Sequence, residues 1–124
     1  MEYFNRVDGM CHGDLKPDNV IRIEGNHFAL LDFGHSQPVD VVSKRRVGTD
    51  EYRTPEVMNV YRHSAATYQT KFVDIFGLGC CFLTVMFKRF PFTRRGPIMN
   101  DPIYGFVLRN DFEGFVKCLD ATLE

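Results

Sequence analysis

The most apolar stretch of the chain, residues 72–87, reads FVDIFGLGCCFLTVMF. It predicts one helix, which Lys88 and Arg89 close. Because apolar residues occur on every side of that helix, we expect it to be buried on nearly all faces. The run is too short to span a bilayer and carries Asp74, so it indicates a core helix.

Composition limits the class of protein. The chain has 124 residues, of which 44% are hydrophobic and 25% charged, which fits one small domain with its own core. A formal net charge of −1 argues against broad electrostatic binding to nucleic acid or to a membrane. The first residues, MEYFNRVDGM, contain no apolar run, so we expect no secretion signal and an intracellular, cytoplasmic protein. The four cysteines form no CxxC pair, which favours reduced thiols: Cys11, Cys80, Cys81 and Cys118.

Local patterns predict few strands and several helices. Residues 20–23 and 28–31 predict a hairpin, and residues 34–54 predict a long polar loop. Helices are predicted over 55–62 with Thr54 as N-cap, over 72–88, over about 101–110, and in part of 111–124. One hairpin is marginal by itself, so the fold class is α+β, mainly α, and the chain looks like one part of a larger domain.

Residues 12–19 read HGDLKPDN and gather several chemically active groups. Asp14 is a candidate base for a hydroxyl nucleophile, and Lys16 lies two residues on, where it could meet a phosphate oxygen. Asn19 offers a neutral oxygen that suits Mg²⁺, and Pro17 stiffens the loop. The alternative interpretation is a solvated polar turn.

A second candidate, LLDFG at 30–34, follows the first by one hairpin. A strand leads into Asp32, and Gly34 frees the backbone to turn. Because Asn19 and Asp32 lie at the two ends of the hairpin, they could converge on one metal ion.

Four motifs together resemble the eukaryotic protein kinase family, of the Ser/Thr type. HGDLKPDN is similar to its catalytic loop, DFG at 32–34 to its metal-binding motif, GTDEYRTPE at 48–56 to the end of its activation segment, and DIFGLG at 74–79 to the start of its central helix. The resemblance implies that residues 1–124 are a partial kinase domain, from the C-terminal lobe, with an activation segment at 32–56. It implies phosphorylation of Ser or Thr in protein substrates, with ATP and Mg²⁺.

Roles follow from the resemblance position by position. Asp14 is implied to be the catalytic base, Lys16 to contact the transferred phosphate, and Thr49 to hydrogen-bond both. The cofactor positions are Asn19 and Asp32 for Mg²⁺ and Ile21 beneath the adenine ring. The positions that support the site are His12, Phe33, Gly34, Glu56 and Asp74. Asp74 is expected to hold the backbone of the catalytic loop, and its alternative role is a first-turn acid of its helix.

The clearest departure from the family is Gly13, where the family usually has an Arg that receives an activation-loop phosphate. Gly cannot do this, so we predict no essential phosphosite in the segment. The basic run 44–46 is open to three interpretations: a contact for an acidic partner, a localisation signal or a solvated face. His-Gly-Asp also occurs in small-molecule phosphotransferases such as aminoglycoside and choline kinases. The segment 48–56 favours a protein substrate over these.

The chain begins only eleven residues before His12, and we find no Gly-rich loop and no Arg positioned to pair with Glu56. We therefore expect the N-terminal lobe to be missing or replaced by a partner protein. Two hypotheses stay open. One is a Ser/Thr kinase whose isolated chain is weakly active or inactive, and the other is a pseudokinase that acts as an interaction module.

Overall fold

The computed structural model describes residues 9–92 and 100–121. Six strands in these residues form three antiparallel pairs. The pairs are β1 (Met10–Cys11) with β4 (Gln37–Pro38), β2 (Val20–Glu24) with β3 (His27–Leu30), and β5 (Val42–Ser43) with β6 (Tyr68–Gln69). The predicted hairpin is confirmed as β2 and β3, with a tighter turn than expected. Within the predicted loop, β4 and β5 each pair with a strand from elsewhere in the chain.

Four α-helices and three short 3₁₀ turns complete the described residues. The helices are α1 (Pro55–Arg62), α2 (Val73–Phe87), α3 (Pro102–Leu108) and α4 (Phe112–Asp120). The 3₁₀ turns are Pro17–Asn19, Asp50–Tyr52 and Thr70–Phe72. All four predicted helices are confirmed, and the fold mixes helix with short strands as expected.

Side-chain caps explain where three of these helices begin. The Thr54 hydroxyl accepts a hydrogen bond from the Val57 amide at the start of α1, as predicted. Asp101 accepts from two amides at the start of α3, and Asp111 caps α4 in the same way. These caps satisfy amides that have no partner within their own helix.

Two apolar clusters form the core. One lies between α2, α3 and α4 and consists of Tyr52, Cys80, Phe87, Phe92, Ile103, Tyr104, Phe115 and Leu119. The other joins α1 to β6 and the start of α2 and consists of Val47, Val57, Val60, Tyr68 and Val73. Tyr52 of the first cluster and Val47 of the second line a small cavity together with Asp14 and Thr49.

The expectation that the central helix is buried on nearly all faces is wrong for the described residues. Ile75, Phe82, Val85 and Met86 of α2 are each 58–66% exposed. The reason is that α3, α4 and the Asp50–Tyr52 turn pack against one side of α2. The apolar composition of α2 predicted that all its sides are buried, whereas the elements that pack against it cover only one side.

The prediction that the apolar run is too short to span a bilayer is wrong by length. Together with the turn before it, α2 forms an 18-residue apolar helix, Thr70–Phe87, which is long enough to cross a membrane by length and composition alone. In this fold the helix carries the buried carboxylate of Asp74, which accepts hydrogen bonds from the main-chain amides of residues 12 and 13.

Candidate active site

Asp74 joins the central helix to the HGDLKPDN loop. Its Oδ2 accepts a hydrogen bond from the His12 amide at 2.7 Å, and its Oδ1 accepts from the Gly13 amide at 2.9 Å. Asp74 is 1% exposed, so both bonds are shielded from water. A buried carboxylate requires such donors, and these two amides supply them.

His12 connects the same loop to the LLDFG strand. Its Nδ1 lies 3.2 Å from the Asp14 amide, and its Nε2 lies 2.8 Å from the Leu31 carbonyl oxygen. Because an amide always donates, Nδ1 is the acceptor and Nε2–H donates to Leu31. The fully buried ring also packs edge-on against Phe33, with centroids 5.1 Å apart. The two loops are therefore held in a fixed relation.

The candidate base Asp14 is bonded to a residue 35 positions away. Thr49 Oγ1 donates to Asp14 Oδ1 at 2.7 Å, and Lys16 Nζ donates to Thr49 Oγ1 at 2.9 Å. Lys16 Nζ also lies 3.7 Å from Asp14 Oδ2. Asp14 is buried and Lys16 partly exposed. A carboxylate, a hydroxyl and an ammonium group thus meet at one point.

Asn19 fixes the other side of Asp14 and presents a free oxygen. Its Nδ2 donates to the Asp14 carbonyl oxygen at 2.8 Å, and its own main-chain oxygen accepts from the Leu31 amide at 2.8 Å. Among the residues that the structure describes, no donor reaches the Oδ1 of this buried side chain. Asp32, next to Leu31, is exposed and has a left-handed φ of 57°. An amide oxygen and a carboxylate are ligand types that a hard cation such as Mg²⁺ prefers, and here they lie at the two ends of the hairpin.

The remaining sequence candidates lie around this centre. Ile21 is 41% exposed on β2, on the hairpin that joins Asn19 to Asp32. The Gly34 amide donates to Asp32 Oδ1 at 3.2 Å. Glu56 is exposed, and within residues 9–92 and 100–121 it makes no ion pair. It lines a groove of about 420 Å³ together with Phe72.

Two residues of the basic run 44–46, Arg45 and Arg46, make contacts within the chain. Arg45 donates to the carbonyl oxygens of Ser36 (2.8 Å) and Gly34 (3.3 Å), which joins the two ends of the intervening loop. Arg46 lies over the Tyr61 ring, 5.5 Å from its centroid. Arg45 therefore has a structural role that the sequence did not indicate.

Arg53 is a further residue that sequence reasoning missed. Its buried guanidinium donates to the carbonyl oxygens of Val47 and Gly48, both at 2.9 Å, and pairs with Asp50. It also stacks on Tyr61 at 4.0 Å. These bonds fix the backbone just before Thr49. Its position beside Tyr52 and Thr54 in GTDEYRTPE was the available signal.

The cysteines are not part of the reactive centre. All four thiols are free, as predicted. Burial raises the pKa of Cys80 to about 12 and that of Cys81 to about 11. Burial, followed by the charge of Asp74, raises the pKa of Cys11. These thiols stay protonated near neutral pH, which suits packing rather than nucleophilic chemistry.

Comparison with known proteins identifies the family. The model of the protein kinase domain matches residues 1–105. The chain belongs to the protein kinase family. It is 30% identical over 122 residues, or 96% of its length, to the G2-specific protein kinase fin1 of Schizosaccharomyces pombe. It is 36% identical over 81 residues (65% of the chain) to the mitogen-activated protein kinase p38a of Drosophila melanogaster, and 33% identical over 102 residues (74%) to the human serine/threonine-protein kinase MRCK gamma.

The chain spans only part of these kinases: 15% of fin1, 21% of p38a and 6% of MRCK gamma. The match to the protein kinase domain confirms the resemblance drawn from the four motifs at the level of the family. The family match extends from before the HGDLKPDN loop into α3 and includes every candidate site residue discussed above.

Proposed function

We propose that this chain forms the C-terminal-lobe part of a protein serine/threonine kinase, which transfers the terminal phosphoryl group of ATP to a Ser or Thr hydroxyl of a protein. The observation that supports this most is the group of Asp14, Thr49 and Lys16, with Asn19 bonded to the same loop. A binding module has no chemical need for this set.

In the proposed reaction Asp14 Oδ2 accepts the proton of the substrate hydroxyl while the hydroxyl oxygen bonds to phosphorus and the bond to the leaving oxygen of ADP breaks. Thr49 donates to Oδ1 at 2.7 Å, whereas the nearest donor to Oδ2 among the described residues is Asn19 Nδ2 at 3.5 Å, so Oδ2 is the oxygen that we propose for the proton of the nucleophile. Lys16, whose Nζ lies 3.7 Å from Asp14 Oδ2, is the cation that we propose for the charge of the transferred group. We assign the catalytic role to Asp14 and Lys16 and the role of positioning both to Thr49.

Asn19 Oδ1 and the Asp32 carboxylate are the groups that we propose for Mg²⁺. Magnesium, when bound, would neutralise the charge of the nucleotide phosphates. Supporting this, Asn19 and Asp32 flank the two ends of the hairpin, and Ile21 on the same hairpin has an exposed apolar side chain, which we propose for the adenine ring. His12, Phe33 and Gly34 then keep the ligand loop in place.

A protein substrate is favoured over a small molecule because of Thr49. This residue opens the segment 48–56, which resembles the docking segment of protein kinases, and it bonds directly to Asp14 and Lys16. The active groups and the proposed docking segment thus form one unit. Because the chain spans 6–24% of its first matched relatives, we expect it to be weakly active or inactive alone.

One observation favours a second candidate function, a non-catalytic interaction module. The exposed face of α2 presents four large apolar side chains, Ile75, Phe82, Val85 and Met86. Exposed apolar patches often mark sites where another protein or domain binds. This hypothesis predicts a fold that does not respond to nucleotide.

Thermal unfolding with and without Mg²⁺-ATP separates the two. If the native chain binds Mg²⁺-ATP, ligand at about 100 times Kd should stabilise it by about 2.7 kcal/mol. We expect the rise in Tm to disappear in Asp32→Ala and to persist in Asp120→Ala, a matched removal of an exposed carboxylate at the end of α4. A cooperative transition that ignores Mg²⁺-ATP in all three proteins would contradict the kinase proposal.

A transfer assay tests the base directly. Radiolabelled phosphate from ATP should reach a protein substrate slowly with the wild-type chain, and Asp14→Asn should abolish the transfer. Asp120→Asn should transfer at the wild-type rate. Detectable transfer at equal rates by wild type and Asp14→Asn would refute the role assigned to Asp14.

A further inference from the structure

The ring of His35 lies between two parts of the site that are distant in sequence. Its Nδ1 accepts a hydrogen bond from the Gly48 amide at 3.0 Å. The same atom lies 3.7 Å from Asp14 Oδ2. Because the Gly48 amide can only donate, Nδ1 carries no proton in this arrangement, and the neutral ring has its proton on Nε2.

This tautomer matters for the candidate base. An unprotonated Nδ1 does not donate to Asp14, so the 3.7 Å approach is neither an ion pair nor a hydrogen bond. Among the described residues, the nearest donor to Asp14 Oδ2 is Asn19 Nδ2 at 3.5 Å, at the limit of a hydrogen bond. With Nδ1 protonated, His35 would instead direct a donor toward Oδ2 and lose the Gly48 amide.

The backbone of His35 is held by Gly13. A Cβ added to Gly13 would lie 2.5 Å from the His35 carbonyl oxygen, and Gly13 has a φ of +84°. Ser36 Oγ donates to the His12 carbonyl oxygen at 3.2 Å, which fixes the next residue against the same loop. The close approach of His35 to this loop therefore depends on a glycine at position 13.

We infer that His35 is a positioning residue for phosphoryl transfer: its Nε2–H tautomer holds the Gly48 amide, and with it Thr49, against Asp14, and leaves Asp14 Oδ2 open to the substrate hydroxyl. The inference rests on the proposed function in taking Asp14 as the base. It links two features of the sequence, Gly13 and His35, that the family motifs leave unexplained.

Nuclear magnetic resonance of the full chain, without nucleotide or substrate, tests the contact itself. Nitrogen shifts of ¹⁵N-labelled histidine report which ring nitrogen of His35 carries the proton, and we expect Nε2. Hydrogen exchange of the Gly48 amide is compared in wild type, His35→Asn and His35→Gln. Asn places an oxygen near the position of Nδ1, whereas Gln places one near Nε2.

The expected result is near-wild-type exchange of Gly48 in His35→Asn and roughly two- to ten-fold faster exchange in His35→Gln, the range for one lost hydrogen bond. His35 is partly exposed, so both variants should fold. A proton on Nδ1, or equal Gly48 exchange in the two variants, would overturn the inference.

Kinetics then separate positioning from general stability. His35→Gln should lower kcat for phosphoryl transfer with little change in the KM for ATP, and His35→Asn should restore kcat. Loss of kcat in both variants to the same extent would overturn the positioning role. A Tm that does not respond to Mg²⁺-ATP would count against the proposed function, whereas the tautomer and the Gly48 exchange decide the His35 contact independently.

Discussion

Replacing Asp74 by Asn tests what holds the catalytic loop in place. The carboxylate accepts two hydrogen bonds from buried amides, at 2.7 Å from His12 and 2.9 Å from Gly13. Asn keeps one oxygen but turns an NH₂ group toward the other amide. The variant therefore loses one charge-assisted bond and leaves a buried donor unsatisfied, for a combined loss of about 2–5 kcal/mol in the free energy of unfolding. The total free energy of unfolding of a natural domain is only about 5–15 kcal/mol, so this loss is a large part of it.

Urea unfolding followed by circular dichroism measures this loss. The matched control is Asp40→Asn, because Asp40 is exposed and its ion pair with Lys71 is long, at 3.6 Å. Exposed pairs contribute little, so the control should change the free energy of unfolding by less than about 0.5 kcal/mol. Amide exchange at His12 and Gly13 should accelerate only in Asp74→Asn. An Asp74→Asn variant as stable as the control would refute the reasoning that these two bonds secure the loop.

Three further outcomes are expected. Gly13→Ala should lower the Tm, because the added Cβ would lie 2.5 Å from the His35 carbonyl oxygen. The control Gly79→Ala on α2 should raise the Tm, because its Cβ meets nothing within 4 Å and Ala favours helix. Equal shifts in Tm for the two variants would contradict this prediction. Thr49→Val should reduce kcat about ten-fold or more while the free energy of unfolding stays within about 1 kcal/mol, because it removes the bond to Asp14. Cys80 and Cys81, with pKa values of about 12 and 11, should resist alkylation at pH 8, where about one part in a thousand of Cys81 is thiolate. The pKa values of both thiols are lower in the unfolded chain, so their burial favours folding fully below about pH 9. The free energy of unfolding should then fall as the pH rises toward 11–12. A free energy of unfolding that stays flat over that range would refute the effect of these thiols.

Local structure followed from the sequence because its signals are local. Thr54 and Asp101 precede Pro and cap the helices that they were expected to begin. The hairpin followed from two short β-prone runs. The exposure of α2 did not follow, because composition reports how apolar a segment is and not which neighbours cover it. The contacts of Arg45 with main-chain carbonyl oxygens depend on where loops pass, which no residue pattern in the chain records.

The geometry of the site requires more than the apolar clusters beneath it. Hydrophobic burial is non-directional, so the packing of α2 against its neighbours leaves the catalytic loop free to rotate or shift over the cluster. Directional bonds across long stretches of sequence remove that freedom: Asp74 to the amides of His12 and Gly13, and Thr49 to Asp14. Because each joins residues 35 to 62 positions apart, local motifs reveal the parts of the site, and these buried polar bonds determine how the parts meet.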